Sequence, residues 1–393
     1  MDKKGSVYDE NGDRCSFPVK LGDCLEELVR FSFSSRSHHL NLSSQFCSTL
    51  LKDDPTYPSS SHSQLQPHDS LEGVPPYPLY KRLPSALLRC IDSGTFCRTG
   101  SNLAMGHEFE DSSIQQKQQQ WQKLILEKGF EIGNVLKGVS FELHVQEPFF
   151  SQLTGRCASG KYNRIKSGNL ILFNKSVVFE VQGVRRYPTF FAMLEAESLG
   201  KVLPGVESGE EGVKVYRRFY TEEQEHENGV LAIIVSKFTP QPYDSLASLF
   251  CGLSYEGVQG LLGLMQTTGT ISDALPPPIS TLLASFNFPC NPNENGLTHG
   301  ARALAKHACR SIGSYWGSLN GNDSNKNRLA KDAINRLISH CCWLNVHTVP
   351  PHGVVFEIRV ADGYGARWNE DGSKFIGFLE PYMQDGHSKG WKH

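Results

Sequence analysis

The sequence predicts an α+β protein in which a small mixed β-barrel is flanked by a helical N-terminal region and a C-terminal α+β domain. The helical region is indicated by Trp121, Leu124 and Ile125, which begin an apolar stripe with a spacing near 3.6 residues. The barrel is indicated by a strand–helix–strands–helices–strand order within residues 139–240. Two amphipathic helical patterns followed by strand-like runs indicate the C-terminal domain.

Changes in composition along the chain predict five segments. Residues 1–20 are polar and are expected to be disordered. Residues 21–138 are expected to form helices, interrupted by a long linker rich in serine and proline. The barrel takes residues 139–240, a helical linker region takes 241–297, and the C-terminal domain takes 298–393.

Within the barrel segment, the apolar residues predict individual elements. VSFELHV alternates as a strand does, and residues 170–173 and 177–184 predict a hairpin that turns at Asn174 and Lys175. The stretch from Glu210 to about Glu225 is predicted as one helix. VLAIIVSKF is rich in β-branched residues and is predicted as a buried strand.

Charge and cysteine content exclude several classes of protein. The net charge of −2 gives no global attraction to nucleic acid, so such binding needs a local patch. The eleven cysteines contain no Cys-x-x-Cys, which fits neither a zinc site nor a secreted disulfide framework. No signal-like or membrane-spanning apolar run is present in the sequence. We therefore expect no membrane association, no metal and no cofactor, and a location in the nucleus or cytoplasm.

A local patch is present between Gly155 and Arg186. Basic side chains dominate this segment, and tyrosines lie among them. Phosphates require cationic partners and unpaired bases stack on aromatic rings, so this composition favours RNA as a partner. The alternative is an ordinary solvated hairpin. The predicted RNA-binding residues are Arg156, Lys161, Tyr162, Arg164, Lys166, Arg185 and Arg186.

The same region resembles the ASCH domain, the activating signal cointegrator homology domain of the PUA-like superfamily. FELHVQEPFFSQL, GRCASGKYNRIKSGNLILFN and VVFEVQGVRRYPTFFAMLEAESLGKVLPG carry the resemblance, and RIKSGNLILF is its most specific part. Asn169 replaces the aspartate that the family usually has after Gly168. The resemblance implies a PUA-like barrel that binds RNA, and the predicted function is RNA binding without catalysis, linked to transcription coactivation or RNA metabolism.

Some relatives in that superfamily are amidohydrolases that act on N4-acetylcytidine, which is the first alternative function. Their Lys-Thr-x-Glu stretch is missing here, and only Gly155 and Arg156 match the end of the motif. Glu195 or Glu197 falls about where the family has its helical glutamate. Because the motif is incomplete, the sequence favours a protein without this catalytic activity, and no catalytic residue is assigned.

The C-terminal domain offers a second candidate surface. Glycines and aromatic residues surround Arg367, and a tryptophan beside an arginine can grip a base or a cation. The favoured interpretation is that these aromatic side chains fill a core, and His387 and His393 are not predicted to bind a metal. A second alternative function is a protein-interaction scaffold that uses the N-terminal helices or this domain. The candidate surface comprises Tyr364, Arg367, Trp368, Trp391 and Lys392.

Overall fold

The computed structural model of the chain describes residues 19–54, 72–96, 112–145, 153–291, 296–308 and 315–381. Most of the stretch predicted to be disordered, and most of the Ser/Pro-rich linker, therefore lie outside the described residues. The chain divides into two compact units. The first contains residues 1–31 and 128–246, and the second contains residues 32–127 and 247–393.

The division falls inside three helices, α1 (Leu21–Ser35), α4 (Ser112–Lys137) and α9 (Pro242–Leu261). The second unit also contains α2 (Ser44–Leu51) and α3 (Arg82–Ser93). The Ser43 hydroxyl accepts a hydrogen bond from the Phe46 amide at the start of α2, which satisfies a backbone donor that the helix leaves unpaired. None of the described helices is both long and apolar enough to cross a membrane.

The first unit contains a mixed sheet of β1 (Val139–Leu143), β2 (Leu153–Cys157), β3 (Leu170–Phe173), β4 (Val177–Tyr187) and β5 (Val230–Lys237). The strand order is β1-β3-β4-β5-β2, with β1 parallel to β3 and the other neighbours antiparallel. Among the described residues β1 and β2 form the two edges, so the sheet is open. The prediction of a closed PUA-like barrel is therefore wrong, although the α+β class is confirmed.

Both faces of this sheet carry a hydrophobic core, which explains the apolar run in β5. Leu231 and Ile233 pack in one cluster, whereas Val230 and Ala232 pack in the cluster on the opposite face. Side chains alternate between the faces of a strand, so a strand covered on both sides is apolar throughout. The helices α5 (Phe190–Glu197), α6 (Leu199–Val202), α7 (Gly209–Tyr216) and α8 (Glu222–Asn228) lie between β4 and β5 in the chain.

The hairpin of β3 and β4 agrees with the prediction. Asn174 and Lys175 both have positive φ, 47° and 55°, as the tight turns that match the twist of paired strands require. The single helix predicted from Glu210 to Glu225 is wrong. Two separate helices, α7 and α8, occupy this stretch, and Thr221 and Gln224 form a capping box at the start of α8.

The second unit ends in an antiparallel sheet of β6 (Trp343–Val349), β7 (Gly353–Arg359), β8 (Gly365–Asn369) and β9 (Phe375–Leu379), paired in chain order. The helices α10 (Ile279–Phe286), α11 (His299–Ala308) and α12 (Asp323–His340) pack on it. Side chains on alternate positions form a buried apolar layer on one face. That layer comprises Leu344, Val346, Phe356, Ile358, Ala366, Trp368 and Phe378.

A segment before α10 adds a further edge to this sheet. The amides of Met265 and Ile271 donate to the carbonyls of Leu344 and Val346, each at 2.9 Å. The Thr348 amide donates in return to the Gly269 carbonyl at 2.9 Å. Residues 264–271 therefore satisfy the backbone groups of β6 that an edge strand leaves unpaired.

Candidate functional site

The predicted RNA-binding arginines Arg156 and Arg185 make hydrogen bonds within the first unit. Arg156 donates to the Thr154 hydroxyl at 3.0 Å and to the carbonyls of Gly155 and His144 at 2.8 and 2.6 Å. Arg185 donates to both carboxylate oxygens of Glu197, at 3.1 and 3.0 Å. Arg156 thus bonds through both terminal nitrogens, whereas Arg185 bonds only through Nη1 and its side chain stays 61% exposed.

The other predicted residues lie at the surface or near it. Lys161, Tyr162 and Arg164 belong to a 3₁₀ helix over Gly160–Arg164. The Lys161 ammonium lies 5.6 Å from the Tyr162 ring, and that ring packs partly against the hydrophobic core. The side chains exposed to solvent are those of Arg164, Lys166 and Arg186.

Glu197, which the sequence placed near the family's helical glutamate, is buried and accepts three hydrogen bonds. Two come from Arg185 and the third comes from the Tyr187 hydroxyl at 2.6 Å. The bond to Glu197 raises the pKa of Tyr187, because it stabilises the protonated phenol beside a carboxylate. This arrangement ties α5 to β4. Glu195, by contrast, is exposed.

The predicted C-terminal surface does not form as a single patch. The Trp368 side chain is fully buried and its indole N–H donates to the Leu282 carbonyl at 3.2 Å, so this residue belongs to the core as the favoured interpretation expected. Arg367 is also buried, whereas Tyr364 is half-buried. Trp391, Lys392, His387 and His393 lie outside the described residues.

A polar cluster occupies the face of the C-terminal sheet opposite the apolar layer. Asn345 on β6, Glu357 on β7 and Arg367 on β8 are direct cross-strand partners. The Arg367 guanidinium donates to Glu357 Oε2 from Nε at 2.9 Å and from Nη2 at 2.7 Å. All three side chains are buried. Pairing and hydrogen bonding, both present here, offset the free-energy cost of burying charged groups.

Two further side chains complete this cluster around the Glu357 carboxylate. Arg359 donates from Nε to Oε1 at 2.6 Å, and His347 Nε2 lies 3.4 Å from Oε2. Burial alone would raise the pKa of Glu357, but the hydrogen bond with His347 lowers it. The positive charges of Arg359 and Arg367 lower this pKa further, to about 2. Glu357 is thus a carboxylate at neutral pH.

Asn345 is fixed from outside the four strands. Its Nδ2 amide lies 2.8 Å from the Thr267 hydroxyl and 2.9 Å from the Thr270 hydroxyl. Both threonines belong to the segment that pairs with β6. That segment therefore supports the residue directly opposite Glu357.

Exposure distinguishes the members of the cluster. The Glu357 side chain is 4% exposed, whereas those of Arg359 and His347 are 12% and 14% exposed. His347 and Arg359 are therefore the groups that a ligand would meet first. Among the described residues, no group of three or more histidine, cysteine or acidic side chains is arranged to hold a metal ion.

Sequence reasoning missed most of this cluster and named only Arg367. The available signal was the polar side chain at every second position of WLNVHTV and the Glu-x-Arg within VVFEIRV. Such alternation marks one face of a half-apolar strand. Only the register of strands β6, β7 and β8 shows that Asn345, Glu357 and Arg367 lie opposite one another.

One known protein family is similar to the C-terminal part of the chain. The model of the CdiA C-terminal tRNase toxin domain matches residues 287–380, about a quarter of the chain. The match includes α11, α12 and the four strands β6–β9, and hence the whole Glu357 cluster. Thr267 and Thr270 lie before it. No curated protein matches the chain.

Two solved structures are similar to a part of the chain. The crystal structure of hypothetical protein PH0355 is 40% identical, with 25% of this chain and 98% of that chain covered and a TM-score of 0.25. The solution NMR structure of protein PF0455 from Pyrococcus furiosus is 40% identical, with 25% and 97% covered and a TM-score of 0.24.

The family match corrects the assignment made from sequence. The matching model describes a tRNase toxin domain in the C-terminal region and not an ASCH domain. The predicted ASCH and PUA-like assignment is therefore wrong, and so is the non-catalytic RNA-binding function based on it. The amidohydrolase and scaffold alternatives are set aside by the same finding.

Proposed function

We propose that the C-terminal part of the chain cleaves RNA, with tRNA as the substrate class, at the polar face of the β6–β9 sheet. The observation that carries this proposal is the cluster of His347, Glu357, Arg359 and Arg367 inside the region matched by the CdiA C-terminal tRNase toxin domain. A histidine beside two guanidinium groups is suited to phosphodiester chemistry, which needs proton transfer and stabilisation of negative charge.

RNA can be cleaved by attack of a 2′-hydroxyl on the neighbouring phosphorus. The new O2′–P bond forms as the P–O5′ bond breaks, the 2′ proton leaves and the departing 5′ oxygen gains a proton. The products are a 2′,3′-cyclic phosphate and a 5′-hydroxyl. The reaction needs a group that transfers protons and cations that stabilise the charge on the pentavalent phosphorus.

His347 is the proton-transfer group in this proposal. Its Nε2 faces Glu357, so its Nδ1 remains for the substrate. Glu357 has a pKa of about 2, which makes it a weak base at neutral pH. Its role is therefore to orient the imidazole and to hold the guanidinium groups. Arg359 and Arg367 supply the positive charge that the phosphate requires.

The test is cleavage of total tRNA by the full-length chain and by its His347→Ala variant. We expect the substitution to reduce the rate about a hundredfold or more, because general acid–base catalysis contributes at least that factor. His352→Ala is the matched control, since His352 is exposed in the turn between β6 and β7. The control should cleave as the parent does, and both should give 2′,3′-cyclic phosphate ends.

Two results would contradict the proposal. One is a parent chain that cleaves no tRNA, and the other is a His347→Ala variant as active as the parent. RNA with a single 2′-deoxyribose at the cleaved position should resist cleavage there, because the attacking hydroxyl is absent. Cleavage of that substrate would exclude the 2′-hydroxyl route.

The basic stretch between Gly155 and Arg186 in the first unit, here called the cationic segment, is a separate predicted RNA contact. The exposed basic side chains of Arg164 and Lys166, together with the neighbouring Lys161, support this proposal. Reversing all three charges to glutamate should weaken RNA binding by the full-length chain, and more strongly at low salt, because fewer counterions are released. The measurement is a salt titration of binding to single-stranded RNA.

The control for this triple variant is the pair Lys201→Glu and Lys214→Glu, which alters exposed lysines of the same unit outside the segment. Equal affinity and equal salt dependence in the triple variant and the parent would refute the predicted contact.

A further inference from the structure

A stacked pair of tyrosine rings lies at one end of the C-terminal sheet. Tyr364 belongs to the turn between β7 and β8, and its ring is parallel to that of Tyr315, with 3.7 Å between centroids and 1° between planes. Trp316 stands perpendicular to both rings, with centroid distances of 4.9 Å to Tyr315 and 5.4 Å to Tyr364. Because these two distances are similar, Trp316 lies beside the pair and does not cover the outer face of Tyr364.

Contacts on the other sides hold the pair in place. The Arg336 guanidinium lies over the Tyr315 ring, 5.5 Å from its centroid. The Trp316 indole N–H donates to Glu380 at 2.8 Å. Gly363, with φ +86°, allows the turn that presents Tyr364, and the Val360 amide closes that turn on the Tyr364 carbonyl at 2.9 Å.

The same turn is attached to the proposed cleavage site through Arg359. Its Nη1 donates to the Gly363 carbonyl at 2.7 Å, and its Nε donates to Glu357 at 2.6 Å. The two acceptors are therefore no more than roughly 8 Å apart, two hydrogen bonds plus the width of one guanidinium. One guanidinium thus links the turn that carries Tyr364 to the carboxylate at the centre of the cluster.

We propose that Tyr364 is a stacking surface for an unpaired base of the RNA substrate. A third flat ring placed on its outer face would continue the stack at the spacing already set by the two tyrosines. Unpaired bases use aromatic side chains in this way, whereas bases inside a duplex are already stacked on their neighbours. The ligand rests on the proposed function, since RNA is the expected substrate, but the binding step does not require cleavage.

The test measures binding separately from chemistry. Full-length His347→Ala protein is titrated into a short single-stranded RNA that carries the fluorescent base 2-aminopurine, whose emission falls when it stacks. Adding Tyr364→Leu should weaken binding about 5- to 150-fold and remove the quenching, as expected for the loss of one stacked base. Tyr364→Phe keeps the aromatic ring, so it should bind this RNA as tightly as the His347→Ala protein does.

Phe288→Leu is the matched control, because Phe288 is an exposed aromatic residue of the same matched region, with 58% of its surface accessible. It should leave affinity and quenching unchanged, and Phe288→Leu and Tyr364→Phe should keep the melting temperature of the His347→Ala protein. Equal affinity of Tyr364→Leu and its parent would overturn the stacking proposal and leave cleavage unaffected. Loss of stacking in Tyr364→Leu, with a parent chain that cleaves no RNA, would support the stacking site and overturn cleavage alone.

Discussion

The Glu357→Gln variant is expected to lose about 3–5 kcal/mol of the free energy of unfolding of the second unit. Glu357 is the shared acceptor for Arg359, Arg367 and His347. Glutamine keeps the size of the side chain but removes its charge and presents an amide that cannot accept at both positions. Two guanidinium groups would then remain beside β7 without an anion, which is costly because their side chains are only 12% and 9% exposed.

The matched control for this variant is Glu370→Gln. Glu370 is an exposed residue that follows β8, so its substitution should change the free energy of unfolding by less than about 0.5 kcal/mol. Urea denaturation, followed by hydrogen exchange of the amides in β7 and β8, measures the second unit separately from the first. A Glu357→Gln variant that unfolds at the same urea concentration as the control would contradict the prediction.

The stabilisation by Glu357 should also depend on pH in a defined direction. Its pKa is lowered from 4.5 to about 2 in the folded chain. A group with a lowered pKa stabilises the fold above its unfolded pKa, and this contribution disappears as the pH falls towards the folded pKa. Roughly 3 kcal/mol should therefore be lost by the parent between about pH 5 and pH 2, and this component should be absent from Glu357→Gln.

Local patterns in the sequence predicted the elements whose signals are themselves local. The β3–β4 hairpin was predicted at its turn, because Asn174 and Lys175 interrupt two apolar runs. The strand-like runs predicted in the C-terminal domain, CWLNVHTV, GVVFEIRVA and SKFIGFLEP, contain β6, β7 and β9. Strand β2 and strand β8 were missed. Their sequences, LTGRC and GARWN, each combine a glycine with an arginine and lack the run of large apolar side chains that β9 has.

The proposed site depends on information that no local pattern carries. Asn345, Glu357 and Arg367 lie on three strands and meet only because the register places them opposite one another. The support from Thr267 and Thr270 comes from a stretch about 75 residues before Asn345 in the chain, a separation that no local pattern spans. The cationic segment of the first unit drew attention because its charges lie within one stretch of about 30 residues. Three of its arginines, Arg156, Arg185 and Arg186, nevertheless donate to acceptors of their own unit.

The Gly365→Ala variant is expected to destabilise the C-terminal sheet by about 3 kcal/mol, at the upper end of the usual cost of overpacking. Gly365 begins β8 and pairs with Arg359 on β7. A β-carbon at this position would collide with the Ile358 carbonyl oxygen and crowd the Arg359 side chain. The carbonyl belongs to the paired strand, so it cannot move without breaking the ladder between β7 and β8.

Gly377→Ala supplies the matched control for this substitution. Gly377 lies on β9 and pairs with Arg367, yet a β-carbon there would meet no atom within 4 Å. The two variants therefore make the same chemical change in neighbouring strands, and only the available space differs. Thermal unfolding should show a lower melting temperature for Gly365→Ala and no loss for Gly377→Ala. Because the collision also displaces Arg359, tRNA cleavage should fall in Gly365→Ala alone, and equal losses in both variants would show that alanine acts through the strand's backbone rather than through this contact.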